Sequence, residues 1–177
     1  MNTKSLNVVD FIFDLFEDSK FFLNLANINV ANIELTDRYS RASVLLAWAA
    51  FEGWINKTCS DFEATSQTVS VFEKGFLLEK KIEIKNGEFV LNNTDKYQST
   101  ENKIEFLLKK FACYKIDKST VHWNSFKLSK ELRDFIIHPK KNRIIKISID
   151  EADKNLKTLQ YFIKLLSKKL YHKDLKF

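Results

Sequence analysis

The 177-residue chain is long enough for one domain with a sizeable hydrophobic core, because chains of this length bury roughly two thirds of the surface that they expose when unfolded. Hydrophobic residues make up 45% of the chain, which excludes a disordered protein, and three Gly with one Pro are too few for a Gly-rich phosphate loop or a turn-rich β-sandwich. The net charge of +6 gives modest attraction to polyanions, although a lysine-rich surface that only favours solubility explains it equally well.

The first third of the chain predicts two long helices. Apolar residues follow a helical stripe over residues 6–27, and Thr36 or Asp37 is expected to cap a second helix that runs through RYSRASVLLAWAAFEGWINKTCSDF. This second helix is apolar on most of its circumference, so we expect it at the centre of a bundle. The short polar connection between the two helices is typical of antiparallel neighbours.

The middle of the chain predicts a shorter helix and a β-hairpin. The helix is expected over residues 71–81, VFEKGFLLEKK. In the following KIEIKNGEFVL, Ile82 and Ile84 alternate with charged residues, and Asn86-Gly87 is a dipeptide that accepts positive φ at both centres of a type I′ turn. We interpret residues 61–98, hairpin included, as an insert.

The remainder of the chain returns to helices. One helix is expected after Ser99-Thr100 and another from Ser125 to Ile137; the extended run NRIIKISID then precedes a final amphipathic helix capped by Asp150. The sequence therefore predicts a mainly α fold in a single domain, residues 1–177. Its expected architecture is a helical bundle with a small β-hairpin insert.

The cysteines and the hydropathy pattern predict a cytoplasmic chain. Cys59 and Cys113 lack CxxC spacing and lie in predicted helices, so we expect reduced thiols in the core. The first twenty residues mix acidic with apolar positions, unlike a signal peptide, and no run of eighteen uncharged apolar residues predicts a membrane span. Nothing in the sequence predicts a metal site or another cofactor.

A candidate catalytic pair lies in ELRDFIIHPK, residues 131–140, where Arg133 precedes His138 by five positions. On an ideal helix five residues would turn His138 about 140° away from Arg133. Pro139 disfavours a helical backbone at His138, so we expect the helix to end there and the imidazole to swing out. A proton-transfer group beside a phosphate-binding cation suits RNA cleavage by the ribose 2′-OH, which needs no metal.

Three basic residues follow this pair, namely Lys140, Lys141 and Arg143. We expect them to bind RNA phosphate through charge-assisted hydrogen bonds. They oppose the protonation of His138, which the negative end of the preceding helix favours.

Two segments of the chain resemble the HEPN superfamily. The segment RDFIIH resembles the Rx4–6H motif of that superfamily, in which Asn or Asp often follows the arginine, as Asp134 does here. The segment SRASVLLAWAAFEGWINK is similar to an alanine-rich, acid-containing helix of stand-alone bacterial HEPN proteins. The resemblance covers roughly residues 36–60 and 100–170, and it departs from many members at Asp134 and at Pro139, where Asn and Gly are common.

The resemblance implies an up-and-down bundle of four to five long helices that dimerises so that two motifs face each other across one composite cleft. It implies a metal-independent endoribonuclease, a toxin or antiviral defence effector, with RNA as substrate and an antitoxin or other defence-system protein as partner. Arg133 would hold the scissile phosphate and His138 would transfer protons, with Asp134 in support. The alternatives are a non-catalytic HEPN-fold module that binds RNA or a nucleotide, and a helical interaction protein whose lysines only aid solubility.

Glu52 lies on an apolar stripe of the second helix with Trp48 and Ile55. Its carboxylate would be buried at a cost unless it had a partner. We expect Glu52 to support the site by tying two helices together through a hydrogen bond or an ion pair, for which Arg133 is one candidate; a direct catalytic role is the other interpretation.

Overall fold

The computed structural model describes residues 7–139 and 146–175, which form six helices and one two-stranded hairpin. The elements are α1 (Val8–Ile28), α2 (Ile33–Thr65), α3 (Val71–Leu77), β1 (Lys80–Lys85), β2 (Glu88–Asp95), α4 (Thr100–Phe111), α5 (Val121–Ile137) and α6 (Ile149–Leu166). One π-helical turn, Ser167–Tyr171, follows α6. The predicted mainly helical fold with a small hairpin is confirmed. In this part of the chain, no helix combines the length and the apolar character that crossing a membrane requires.

The described residues group into two compact units. The first holds the described parts of Met1–Phe51 and Asp117–Phe177, and the second is Glu52–Ile116. The second unit contains the whole segment 61–98 that the sequence marks as an insert, and it extends beyond that segment at both ends. The single domain stays a prediction.

An aromatic cluster forms the core of the first unit, and α2, α5 and α6 all contribute to it. The rings of Trp48 and Phe51 lie 5.6 and 5.7 Å from the ring of Phe126, and the ring of Phe162 lies 4.9 Å from the same side chain. All four side chains are buried. Burial of one large apolar side chain stabilises a fold by roughly 1.5–3 kcal/mol, so this cluster is a main source of the unit's stability.

Helix α1 joins this core through its apolar stripe, which buries Ile12, Phe16 and Leu23. On the same face the Ser19 hydroxyl donates a hydrogen bond of 2.9 Å to the carbonyl of Ser43 in α2. A buried hydroxyl needs such a partner, so this bond fixes α1 against α2 at one position.

The hairpin of the second unit turns at Asn86 and Gly87, whose φ angles are +54° and +83°. Positive φ at both central residues is what a type I′ turn requires, and the predicted hairpin and turn are confirmed. Strand β1 begins at Lys80, inside the helix predicted over 71–81, so α3 is shorter than predicted.

An ion pair between Glu79 and the buried Lys103 closes the base of the hairpin. Glu79 has φ +54°, its carbonyl accepts from the Lys96 backbone N–H at 2.7 Å, and its carboxylate accepts from the Gln98 backbone N–H at 2.7 Å. Lys103 is only 4% exposed, and its ammonium lies 2.9 Å from that carboxylate and 2.7 Å from the Asn56 amide oxygen. A buried ammonium is costly without partners, and these two acceptors compensate for its lost hydration.

Helix α2 begins at Ile33, about one turn before the predicted caps. The Asn32 side-chain oxygen accepts from the Leu35 backbone N–H at 3.2 Å and starts the helix there. Asp37, one of the two predicted caps, instead accepts from the backbone N–H of Ile147 at 2.7 Å. The Asp37 side chain therefore binds a residue that is distant in the sequence, and it does not form the helix cap that the local pattern predicts.

Two further helices begin earlier than predicted. Helix α5 starts after Thr120, whose hydroxyl oxygen accepts from the Trp123 backbone N–H at 3.2 Å, and this places the Trp123 side chain in the core. Helix α6 starts after Ser148 instead of at Asp150, because Ser148 and Glu151 form a reciprocal capping box.

The two cysteines have different environments. Cys59 is buried in α2, as predicted, and burial raises the pKa of its thiol to about 12. Cys113 is exposed, follows the end of α4 at Phe111 and has φ +49°. The prediction of a helical core thiol is wrong for Cys113, because α4 ends before reaching it.

We expect one fast and one protected thiol in the native protein at pH 8. A pKa near 12 leaves the Cys59 thiolate at about one part in ten thousand, and its burial also blocks the reagent. Titration with DTNB should therefore modify one thiol quickly, and both after unfolding in urea. Rapid modification of native Cys113→Ser would contradict the burial of Cys59.

Candidate functional site

The last turn of α5 carries the predicted catalytic residues. The helix ends at Ile137, and His138 leaves it with φ −123° and ψ 67° while its backbone N–H still donates to the Asp134 carbonyl at 2.9 Å. Pro139 disfavours a helical backbone at the residue before it, which explains why the helix ends here. His138 is exposed, as the sequence predicts.

Arg133 is fixed on the surface of the core. Its guanidinium carbon lies 5.0 Å from the centre of the Trp48 ring, and Nη1 is 2.9 Å from a carboxylate oxygen of Asp134. The side chain is 17% exposed. A contact between a guanidinium and an aromatic ring contributes about 0.5–2 kcal/mol, so Arg133 is held in one place before any ligand arrives.

The Trp48 ring that carries Arg133 is itself held by hydrogen bonds. Its indole N–H donates to the carbonyl of Ser129 at 3.1 Å and to the side-chain oxygen of Asn155 at 2.9 Å. The Ser129 hydroxyl also donates to that oxygen. One buried side chain of α2 therefore bonds to both α5 and α6, and it fixes the position of Arg133 on α5.

The structure brings together some of the predicted site residues. Arg133 and Asp134 form an ion pair, and His138 bonds to Asp134 through the backbone. Glu52 belongs to the second unit, where it is half-buried and its Oε1 lies 3.5 Å from the Thr100 hydroxyl, at the outer limit of a hydrogen bond. That contact joins α2 to α4; the support of Glu52 for catalysis stays a prediction.

The three predicted phosphate-binding residues, Lys140, Lys141 and Arg143, lie outside the described residues, so their role stays a prediction. Within residues 7–139 and 146–175, no three His, Cys, Asp or Glu side chains are grouped as metal ligands would be.

A cavity of about 530 Å³ lies between α5 and α6. Its wall includes Ser129 and Asn155, which bond to Trp48, and Phe135, which lies between Arg133 and His138 in the sequence. The rest of the wall combines apolar, hydroxyl-bearing and charged residues, namely Leu128, Leu132, Ser125, Thr158, Glu131, Glu151, Lys154 and Lys157.

The Trp48 hydrogen bonds and the cavity were not predicted from the sequence. One signal was present, because Asn155 interrupts the apolar stripe of α6 between Ala152 and Leu159, and an amide on a buried face needs partners. A second signal was the spacing of Ser129 and Arg133, because residues four positions apart lie on the same face of a helix. Neither signal identifies Trp48 as the partner.

Comparisons with known proteins identify no relative. The sequence matches no family profile and no curated protein, and the structure matches no solved structure. The resemblance to the HEPN superfamily therefore depends on the segments RDFIIH and SRASVLLAWAAFEGWINK alone.

Replacing Arg133 by Gln should lower the free energy of unfolding by about 1–2 kcal/mol, because Gln cannot make the contact to the Trp48 ring. Urea unfolding followed by circular dichroism measures this change. Lys127→Gln, which removes a positive charge at an exposed position of the same helix, should change stability by less than about 0.5 kcal/mol. Equal stability of the two variants would show that the ring contact contributes little.

Proposed function

We propose that this chain is a metal-independent endoribonuclease in which Arg133 holds the scissile phosphate and His138 transfers protons. The supporting observation is that α5 ends at an exposed His138 five residues after a guanidinium already held on the core. Histidine is the side chain that most readily changes protonation between pH 5 and 8. Arginine offers a planar, permanently charged fork that matches phosphate.

In the proposed reaction the ribose 2′-OH attacks the adjacent phosphorus. A base accepts the 2′-OH proton, the bond from phosphorus to the 5′ oxygen breaks, and an acid supplies a proton to that oxygen. The products are a 2′,3′-cyclic phosphate and a new 5′-OH. The protein therefore has to supply proton transfer and stabilisation of the phosphorane charge.

The reaction needs both an acid and a base, and each chain contributes one His138. A homodimer in which two copies face each other across one composite site supplies both groups, so dimerisation is part of the proposal. The proposed biological role, a toxin or antiviral defence effector in the cytoplasm with an antitoxin or other defence-system protein as partner, is supported by the resemblance alone.

Asp134 has a supporting role in this proposal. Its carboxylate bonds to Nη1 of Arg133 and thereby orients the guanidinium. The Asp134 side chain is 45% exposed, so a phosphate arriving from solvent competes with it for the same N–H groups. The net charge of +6 favours the approach of RNA, and binding should weaken as salt rises.

A second candidate function is non-catalytic binding of RNA or a nucleotide. The low exposure of Arg133 and its bond to Asp134 favour it, because an arginine with a structural role has the same contacts. This module would bind RNA in a salt-dependent way and release no cleaved product.

We expect wild-type protein to cut mixed-sequence RNA in EDTA and to leave 2′,3′-cyclic phosphate ends. His138→Ala should lower the rate by about 10²-fold or more, the usual contribution of general acid–base catalysis. His122→Ala is the matched control, because His122 lies in the first turn of the same helix, roughly 24 Å from His138 along its axis at 1.5 Å per residue.

The control variant loses the stacking of His122 on Tyr161, whose ring centroids are 3.9 Å apart, so its folding is checked by thermal unfolding. Full activity of folded His138→Ala would remove His138 from the mechanism. Salt-dependent RNA binding by a folded wild-type dimer that cuts nothing would favour the second candidate.

A further inference from the structure

The net positive charge of the chain is concentrated near its C-terminal end. Six of the 29 basic residues lie in residues 154–173, a segment that contains no Asp or Glu. The other 23 basic residues equal the acidic residues of the chain in number, so the net charge of +6 comes from this segment alone. Such a separation of charge gives one surface a positive potential that an even distribution would not produce.

Four of these lysines form one exposed row, the lysine stripe, which consists of Lys154, Lys157, Lys164 and Lys168. At about 100° per residue, the four positions and the uncharged Tyr161 between them fall within about 80° around the helix axis. The stripe begins in α6 and ends in the π-helical turn that follows it. At about 1.5 Å per residue it is about 21 Å long.

The opposite face of α6 holds the stripe in place. Its apolar side chains are buried in the first unit, among them Leu156, Leu159, Ile163 and Leu166. A helix that lies in a membrane surface inserts its apolar face into the lipid, and in this protein that face is already occupied by the core. The stripe is therefore a fixed row of positive charges that faces solvent and suits a soluble polyanion.

Two ion pairs along the stripe are open to solvent. The Lys157 ammonium lies 2.6 Å from a carboxylate oxygen of Asp153, and the Lys168 ammonium lies 3.9 Å from one of Asp174. The two lysine side chains are 71% and 68% exposed. Exposed ion pairs contribute little and are screened by salt, so a phosphate can replace either carboxylate.

Two further carboxylates lie near Lys154, at the start of the stripe. Glu131 and Glu151 form part of the cavity wall together with this lysine. The Glu151 carboxylate accepts from the backbone N–H and the hydroxyl of Ser148, at 2.8 and 2.7 Å, and is thereby engaged in the helix cap. Negative charge thus weakens the stripe at Lys154, and the positive charge dominates from Lys157 onward.

The stripe leads away from the proposed cleavage site. Asn155 bonds to Ser129 in the middle of α5, whereas Tyr161, farther along α6, stacks on His122 in the first turn of α5. The two helices are therefore antiparallel. Lys154 consequently lies at the end of the stripe that is nearer to the last turn of α5, which carries the proposed catalytic residues.

We propose that the lysine stripe binds the phosphate backbone of RNA beyond the proposed cleavage site and so holds the strand while Arg133 and His138 act on it. The inference rests on the proposed function for the identity of the polyanion. A length of about 21 Å matches about six nucleotides, which follow one another at about 3.4 Å along a stacked strand. Lysine binds phosphate as a point charge, and phosphate contacts carry no sequence information, so the stripe should accept any base sequence.

An RNA of about 12 nucleotides with 2′-O-methyl groups and a fluorescent label tests this inference without cleavage, because the probe lacks the attacking 2′-OH. Fluorescence anisotropy in EDTA at several NaCl concentrations gives the dissociation constant and its salt dependence. For single strands the logarithm of the affinity falls with the logarithm of the salt concentration by about 0.7 per phosphate contact.

Replacing all four stripe lysines by Gln should reduce the magnitude of this slope by about two to three, because up to four phosphate contacts are lost. The dissociation constant at about 100 mM NaCl should rise at least about tenfold. The double variant Lys157→Gln/Lys164→Gln should show about half of the change in slope.

The matched control replaces four exposed lysines of the second unit by Gln, namely Lys81, Lys85, Lys96 and Lys109. It removes the same amount of charge, so a general loss of attraction to RNA would affect the control and the stripe variant equally. The control should keep the wild-type slope to within about 0.7, the contribution of one contact. Thermal unfolding checks that both variants are folded.

The inference is overturned if the folded wild type does not bind the probe, if the folded stripe variant keeps the wild-type slope, or if the control loses as much as the stripe variant. Cosedimentation with phosphatidylglycerol vesicles tests the other class of polyanion. Binding to these vesicles through the stripe, without binding of RNA, would assign the stripe to a membrane surface and overturn the inference.

The failure of this inference is distinct from that of the proposed function. Cleavage of unmodified RNA through His138, with an unchanged salt slope in the stripe variant, refutes the stripe alone. Stripe-dependent binding of the probe without cleavage of unmodified RNA refutes the nuclease and keeps the stripe as an RNA-binding surface.

Discussion

The buried indole N–H of Trp48 is the constraint on which the rest of the first unit depends. A buried donor without an acceptor costs about 1–3 kcal/mol, and here the acceptors are supplied by Ser129 of α5 and Asn155 of α6. Apolar packing alone tolerates small shifts of one helix along another, but two hydrogen bonds to one nitrogen do not. The indole therefore fixes the positions of α5 and α6 along the axis of α2.

The candidate site follows from that constraint. The position of α5 places the Arg133 guanidinium over the Trp48 ring. The indole N–H of the same ring donates to the Asn155 side-chain oxygen and thereby orients that amide. The core and the site thus share one side chain. A substitution at Trp48 would alter the fold, the arginine and the cavity together, so the roles of Arg133 and Asn155 have to be separated by substitutions at those residues.

Features that depend on neighbouring residues could be predicted from the sequence, and features that depend on distant residues could not. The Asn86-Gly87 turn and the end of α5 before Pro139 are determined by local backbone preferences. Asp37 is equally suited to cap a helix, but a contact to Ile147 engages it, and no local pattern reveals that. The burial of Lys103 and the partners of Asn155 likewise depend on which helices meet, and so does the shape of the cavity.

The structural and the proposed catalytic role of Arg133 are compatible, because they use different interactions of the guanidinium. The contact to Trp48 is an attraction between the positive charge and the ring, whereas Asp134 or a phosphate forms hydrogen bonds with the N–H groups. Asp134 competes with a phosphate for these N–H groups. Ion pairs open to solvent contribute about 0.2–1 kcal/mol, and this pair is partly exposed, so a phosphate can displace the carboxylate at small cost while the ring contact keeps the arginine in place.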